Sequence, residues 1–145
     1  QASGCCPLNR AIAENAAWRP MEENTLADSI AVGVPRNPDK ALNAIRESNG
    51  VAVNVSDEEI LEAMRILGKS CGVFAEPAGA TGTAGIKKAI ELGLIPREAS
   101  VVSLVTGSGL KDAANAIKAA GEPIRIRPEM ALLEEVFKKH HFLEE

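Results

Sequence analysis

The stretch VVSLVTGSGLKD (Val101–Asp112) joins an apolar run to a turn that contains two glycines and two hydroxyl residues. The valine-rich run predicts a buried strand, and the residues after the turn predict a helix. A simple strand-to-helix turn needs one glycine at most, so Gly107 and Gly109 indicate that another group approaches the backbone closely here. The alternative is a turn whose glycines only let the helix pack close to the sheet.

Strands and helices alternate along the chain, which predicts an α/β domain of three layers, with a mostly parallel sheet and helices on its faces. The predicted strands are Val51–Val55, Ser100–Val105 and Ile124–Arg127, and a β-like segment covers Ser29–Pro35. The predicted helices cover 7–17, Pro38–Glu47, the residues after Ser56, a segment through Ile86 and Ile90, 110–121 and Met130–Lys139. We expect a single domain over residues 1–145, in which 122–145 form a C-terminal strand and helix extension.

Two helix starts carry recognisable signals. Ser56 and Glu59 have the S-x-x-E spacing of a capping box, which makes the following helix the best defined of the chain. Asn37 is placed to cap the helix that begins with Pro38, because proline is favoured in the first turn.

Composition excludes several classes of function. The formal net charge is −4, and no basic cluster indicates binding to nucleic acid or to an anionic membrane. No apolar run approaches the length of about 20 residues that a membrane-spanning helix needs. We see no signal peptide, so a cytoplasmic location is expected.

The stretch EPAGATGTAG (Glu76–Gly85) is a second candidate for a site, because small residues follow a carboxylate. Pro77 favours extended backbone at Glu76, and a carboxylate there could accept backbone N–H groups at the helix start. The alternative is a helix N-terminus that only packs closely on the sheet. In an open α/β sheet, ligands bind beyond the carboxyl ends of strands, so we expect a small-molecule site beside Thr106 and Glu76.

The residue types most often used in catalysis and metal binding are poorly placed. His140 and His141 are adjacent near the C-terminal end, and adjacent helical residues point apart. Cys5, Cys6 and Cys71 have neither zinc-site spacing nor an identifiable base, and we interpret them as small interior residues. We therefore predict no catalytic residue and no metal ligand among them.

The motifs taken together resemble a known family. TLADSIAVGVPRNPDKALNAIRESNG, VSDEEILEA, GVFAEPAGATGTAGIKKA and VTGSGLKD occur in this order over nearly the whole chain. The set resembles the threonine synthases, which are pyridoxal-phosphate enzymes of the tryptophan-synthase-β-like group. The resemblance implies the C-terminal part of the large domain of fold type II, and an enzyme that converts O-phosphohomoserine and water to threonine and phosphate.

The resemblance also implies roles for individual residues. Thr106 matches the residue that hydrogen-bonds the pyridine nitrogen of the cofactor, and Gly107 would let the strand end approach the flat ring. In the related dehydratases, residues matching Glu76 and Ala80 help to hold a monovalent cation near the cofactor. Gly82 stands where those relatives have a further hydroxyl.

Two parts of the family pattern have no match in this sequence. The lysine that forms the Schiff base and the loop that cradles the phosphate belong to an N-terminal region of the family, and Lys87, Lys88 and Lys111 lack that lysine's context. We therefore expect this chain to be the C-terminal part of a longer enzyme, inactive alone. Its expected partners are a small amino-acid substrate, the N-terminal part and further copies of the enzyme.

Two alternatives remain open from the sequence. One is a segment of a related pyridoxal-phosphate enzyme, such as a serine/threonine dehydratase or a cysteate synthase. The other is a non-catalytic α/β module used for binding or assembly.

Overall fold

The computed structural model describes residues 1–140 and 142, and it is mostly helical. Within this range, six α-helices and two short 3-10 turns follow one another along the chain. The helices are α1 (Pro7–Ala13), α2 (Pro38–Glu47), α3 (Asp57–Cys71), α4 (Pro77–Glu91), α5 (Ala113–Ala120) and α6 (Met130–His140), and the 3-10 turns are Asp28–Ile30 and Gly109–Lys111.

The predicted capping box begins α3. The Ser56 hydroxyl accepts a hydrogen bond of 3.2 Å from the backbone N–H of Glu59, and the Glu59 carboxylate accepts one of 2.6 Å from the backbone N–H of Ser56. Two otherwise unsatisfied donors of the first turn are thereby satisfied. The helix ends at Cys71, and Gly72 follows it with a φ of 65°, the left-handed conformation that glycine tolerates best.

The core lies where α3 packs against α4, and it is built mainly from alanine and aliphatic side chains. Helix α4 contributes small residues, which allow its backbone to come close to α3. The buried cluster consists of Ala2, Ala27, Val55, Ile60, Ala63, Met64, Leu67, Ala75, Ala80, Ala84 and Ala119. Small and branched side chains therefore fill this core.

The predicted sheet is not confirmed. Among the residues that the structure describes, backbone pairing is limited to isolated bridges between Ala2 and Cys5, Ala2 and Val55, and Ala75 and Ser108. No strand is assigned to Val51–Val55, Ser100–Val105 or Ile124–Arg127, because a strand needs a hydrogen-bonded neighbour along its length. Val102 and Leu104 are 86% and 77% exposed, so no second layer formed by the described residues covers them.

Several predicted boundaries also need correction. Helix α1 stops at Ala13 rather than at residue 17, because Asn15 adopts a φ of 47°. Helix α5 begins at Ala113 rather than at Leu110, since a 3-10 turn precedes it and the Asp112 side chain accepts the N–H of Asn115. The 3-10 turn Asp28–Ile30 includes Ser29 and Ile30, the first two residues of the predicted β-like segment Ser29–Pro35.

The other helices agree with the sequence predictions. Helix α2 has the predicted bounds, although the side chain of Asn37 makes no capping hydrogen bond. Helix α6 extends one residue beyond its predicted end, and the prediction made for His141 lies outside the described residues. Within residues 1–140 and 142, no helix combines the length and the apolar character needed to cross a bilayer.

Candidate functional site

The two motifs that the sequence singled out lie side by side. The backbone N–H of Glu76 donates a hydrogen bond of 3.0 Å to the carbonyl of Gly107, and the N–H of Gly109 donates one of 2.9 Å to the carbonyl of Phe74. These two bonds form the antiparallel bridge between Ala75 and Ser108. The turn after Val105 is therefore fixed to the segment that leads into α4.

Glycine is required at this contact for steric reasons. A Cβ atom on Gly107 would overlap the Glu76 carboxylate, and one on Gly109 would overlap the ring of Phe74. On the α4 side, a Cβ on Gly79 would stand 3.1 Å from the backbone nitrogen of Gly107. The sequence correctly indicated a close approach to the backbone, and within the described residues the approaching groups are side chains and backbone of the chain itself.

Glu76 is the residue immediately before α4, and its φ of −74° and ψ of 163° confirm the extended backbone expected before Pro77. The predicted hydrogen bonds from the helix start to its carboxylate are absent, because the side chain turns toward Gly107 instead. Only 6% of the residue is exposed, which is unusual for a glutamate. One carboxylate oxygen lies 3.7 Å from Nζ of Lys111.

The two hydroxyl residues of the turn have different environments. Ser108 accepts a hydrogen bond of 3.3 Å from the N–H of Leu110 and thereby caps the 3-10 turn. Thr106 is exposed, and its hydroxyl has no partner among the residues that the structure describes. Of the two, Thr106 is the hydroxyl that remains available to a ligand.

Most of the first residues of α4 are buried beside the turn and make their own hydrogen bonds. Ala80 is fully buried one helical turn after Glu76, and its N–H donates to the Glu76 carbonyl. The Thr81 hydroxyl donates to the carbonyl of Pro77 at 2.9 Å, so it is occupied within the helix. Further along, the hydroxyls of Thr83 and Ser103 lie 3.0 Å apart and connect α4 to the segment that precedes Thr106.

A second set of polar contacts fixes α5, and sequence reasoning missed it. The Asn115 amide donates to the Leu26 carbonyl at 3.2 Å and to the Asp112 carboxylate at 2.7 Å. The N–H of Leu26 in turn donates to Asp57 at the first position of α3. Asn115 and Leu26 are 89 residues apart, so no local pattern could have predicted the contact.

The remaining sequence candidates lie in different environments. Cys5 is buried, and burial raises the pKa of its thiol, as expected for an inert interior cysteine. Cys71 is exposed at the end of α3, so the interior interpretation is wrong for that residue. His140 ends α6, a helix none of whose residues is buried.

The residues at this turn fit one edge of pyridoxal phosphate. The Thr106 hydroxyl is exposed and can exchange a hydrogen bond with a ring nitrogen, and glycine at the next position adds no side chain to hinder a flat ring. The carboxylate of Glu76 faces Gly107 and lies directly behind the turn. These residues can orient the ring edge, and they supply neither a covalent attachment nor a phosphate cradle.

The family model and the relatives that match this chain all indicate pyridoxal-phosphate enzymes. The family model described as "Pyridoxal-phosphate dependent enzyme" matches residues 1–107, a range that includes Glu76, Thr106 and Gly107. Threonine synthase of Methanocaldococcus jannaschii is 43% identical over 141 residues, which are 96% of this chain and 35% of that relative. Threonine synthase of Methanosarcina acetivorans is 42% identical over 142 residues, again 96% of this chain and 35% of the relative.

A cyanobacterial relative covers less of the chain. Threonine synthase of Synechocystis is 44% identical over 111 residues, or 75% of this chain and 28% of the relative. The chain thus spans about a third of the length of the two Methanocaldococcus and Methanosarcina relatives. Because the family model covers residues 1–107, well over half of the sequence, the chain belongs to the family of pyridoxal-phosphate dependent enzymes.

Proposed function

We propose that this chain is the C-terminal segment of a threonine synthase, and that it supplies the edge of the cofactor site that meets the pyridine nitrogen. The reaction is the conversion of O-phosphohomoserine and water to threonine and phosphate, and the substrate is a small phosphorylated amino acid. The observation that carries the proposal is the exposed Thr106 hydroxyl, held beside Gly107 and Glu76.

Similarity supports the choice of activity. The relatives that cover 96% of this chain at 42% and 43% identity are both named threonine synthase. The similarity extends through the turn that carries Thr106, since the alignment with the first of them covers 96% of this chain. A serine/threonine dehydratase or a cysteate synthase would share the cofactor, and substrate tests distinguish these enzymes.

Thr106 has a defined chemical task in this proposal. Bound pyridoxal phosphate would act as an electron sink for negative charge at the substrate carbon. A neutral hydroxyl beside the ring nitrogen does not hold a proton there as a carboxylate would, so Thr106 tunes this sink and orients the ring. Gly107 keeps the space beside the ring open, and Glu76 holds the turn in place from behind.

The proposal includes a sheet that is completed by the remainder of the enzyme. Apolar segments such as Ser100–Val105 expose Val102 and Leu104, and a strand of this composition needs cover on both faces. We propose that Val51–Val55 and Ser100–Val105 pair with strands of the N-terminal part, which completes the three-layer arrangement. Residues 122–145 extend this unit, the assembled enzyme is a cytoplasmic homo-oligomer, and the N-terminal part brings the Schiff-base lysine and the phosphate loop.

The test uses the full-length protein loaded with pyridoxal phosphate. We expect it to release phosphate from O-phosphohomoserine and to form threonine in equal amounts. We expect no comparable turnover of serine or threonine, the dehydratase substrates, or of O-phosphoserine with sulfite, the substrates of a cysteate synthase. Deamination of serine or threonine without threonine formation would replace the proposal with a dehydratase.

The 145-residue chain alone is a useful second sample. Borohydride reduction after incubation with pyridoxal phosphate, followed by intact mass, detects a lysine bound to the cofactor. We expect no single stoichiometric adduct and no turnover from the isolated chain. A specific adduct accompanied by turnover would show that the chain contains its own catalytic lysine.

A further inference from the structure

Glu76 presents a buried carboxylate with few partners. Its side chain is 7% exposed and accepts no hydrogen bond from the residues that the structure describes. A buried ionised carboxylate is unfavourable unless a charge or several donors compensate for the lost hydration. A positive charge beside Glu76 therefore stabilises this carboxylate.

The nearest compensating group is Lys111. Its Nζ lies 3.7 Å from Oε2 of Glu76, and 66% of the lysine side chain is exposed. Lys111 belongs to the 3-10 turn that continues directly from Gly109, and its backbone N–H donates to the Ser108 carbonyl at 3.1 Å. The charge that compensates Glu76 thus belongs to the 3-10 turn that directly follows the turn with Thr106.

We propose that Lys111 is the counter-ion of Glu76 and acts as a positioning residue for the turn Thr106–Gly109. The ion pair connects the buried start of α4 to the 3-10 turn that follows Gly109. The hydrogen bond from the Glu76 N–H to the Gly107 carbonyl connects the start of α4 to the residue after Thr106. With both ends fixed, the Thr106 hydroxyl has a defined position. The effect on catalysis rests on the proposed function, whereas the effect on the turn does not.

This pair differs from the exposed ion pair of Lys87 and Glu91. Lys87 and Glu91 lie 4.0 Å apart on α4, and both side chains are more than half exposed. Such exposed pairs contribute little, because water already solvates both charges. Removing Lys111 would instead leave the buried carboxylate of Glu76 without its counter-ion, which is the unfavourable situation.

The test compares Lys111→Ala with Lys87→Ala in the full-length protein without cofactor. We expect Lys111→Ala to lower the urea midpoint by about 0.5 M and Lys87→Ala to lower it by about 0.1 M or less. In a Glu76→Gln background, Lys111→Ala should cause almost no further change, because the charge to be compensated is gone. An undiminished effect of Lys111→Ala in that background overturns the proposal.

Amide hydrogen exchange in the same cofactor-free samples reports the position of the turn. We expect exchange of the Glu76 and Gly109 amides to accelerate about tenfold in Lys111→Ala and to stay unchanged in Lys87→Ala. Lys111→Arg keeps the charge and should retain most of the protection. Equal exchange rates in wild type and Lys111→Ala would contradict a positioning role.

Chemical rescue with small amines then distinguishes the loss of the Lys111 charge from the loss of its packing. With the cofactor-loaded enzyme, Lys111→Ala should lose about tenfold in kcat, which corresponds to about 1.4 kcal/mol. Ethylammonium should restore several-fold of this loss, while tetramethylammonium at the same ionic strength should not, because it has no N–H donor. Loss without rescue contradicts the counter-ion role. If the wild type makes no threonine, the proposed function fails. The double-mutant comparison by urea unfolding and the hydrogen exchange still decide whether Lys111 holds the turn through Glu76.

Discussion

The backbone N–H of Glu76 and the carbonyl of Gly107 are joined by a hydrogen bond of 3.0 Å, although the two residues are 31 positions apart in the sequence. The contact places a turn with an exposed hydroxyl against the start of α4. Glycine at positions 79, 107 and 109 makes the contact possible, because a Cβ atom at each of them would crowd the neighbouring segment. The site is therefore defined by backbone contact, which leaves the exposed Thr106 available for recognition.

The first prediction concerns Thr106 in the full-length enzyme. Thr106→Val keeps the shape of the side chain and removes its hydroxyl, so the fold should persist while turnover falls. An unsatisfied partner costs about 1–3 kcal/mol, which corresponds to a loss of about 5- to 150-fold. Steady-state kinetics of threonine formation measures the effect, and Thr106→Ser should lose much less.

Ser108 provides the matched control for Thr106. Its hydroxyl caps the 3-10 turn, so Ser108→Ala should mainly reduce stability and have the smaller effect on turnover. A severe loss of activity in Ser108→Ala, together with near-normal activity in Thr106→Val, would show that the cofactor contact does not belong to Thr106.

The second prediction concerns the lack of space at Gly107. Gly107→Ala adds a Cβ that overlaps the Glu76 carboxylate, so either the turn or the buried glutamate must move. We expect a loss of about 1–3 kcal/mol in the free energy of unfolding. We also expect weaker binding of the cofactor, measured by fluorescence titration.

A helical glycine with free space serves as the control for Gly107. Gly68 lies inside α3 with no atom within 4 Å of the added Cβ, so Gly68→Ala should stabilise the protein by about 0.5–1 kcal/mol. Equal and small effects of both substitutions on urea unfolding would show that the turn adapts freely.

The third prediction is a pH dependence that arises from Glu59. Its carboxylate accepts the backbone N–H of Ser56 and lies 2.9 Å from Nζ of Lys88, and these contacts lower the pKa of Glu59 below its ordinary value of 4.5. A carboxyl group whose pKa is lower in the folded state stabilises the protein above the unfolded value. This stabilisation is lost as the pH falls from about 4.5 through the folded pKa.

The effect of Glu59 is measured by urea unfolding between neutral and acidic pH. Glu59→Gln still accepts a hydrogen bond but does not titrate, so the stability difference from wild type should shrink as the pH falls. Glu62, whose side chain is 44% exposed in an i,i+3 pair with Arg65, gives the matched control, and Glu62→Gln should change the stability little. If the difference in unfolding free energy between wild type and Glu59→Gln stays constant with pH, Glu59 is not the source of the pH dependence.

Sequence patterns predicted the elements whose signals are local. The capping box at Ser56 and the proline at position 38 define helix starts through neighbouring residues, and both helices form as predicted. The apolar run Ser100–Val105 was predicted to be a strand, but pairing depends on a neighbour that residue types do not specify. Local pattern therefore predicts helices here better than it predicts the sheet.

The same distinction applies to the site. The extended backbone of Glu76 and the glycines of the turn were predictable, because each follows from the residue type itself. The pairing of Glu76 with Lys111 was not predictable, since the two residues are 35 positions apart and neither lies in a charge pattern. Long-range contacts of this kind require the three-dimensional structure.

The last prediction concerns association of the isolated 145-residue chain. Val102 and Leu104 are 86% and 77% exposed within one extended apolar segment, and contiguous exposed apolar surface drives association. We therefore expect dimers or larger species of the isolated chain at micromolar concentration, measured by light scattering and sedimentation. Replacing both residues, as Val102→Lys with Leu104→Glu, should weaken association by about 100-fold, because each large aliphatic side chain contributes about 1.5–3 kcal/mol when fully buried. Val34→Lys, at a residue that is 61% exposed outside this segment, should leave the association nearly unchanged. A wild-type chain that stays monomeric at these concentrations would show that its exposed apolar segment does not form an interface between copies.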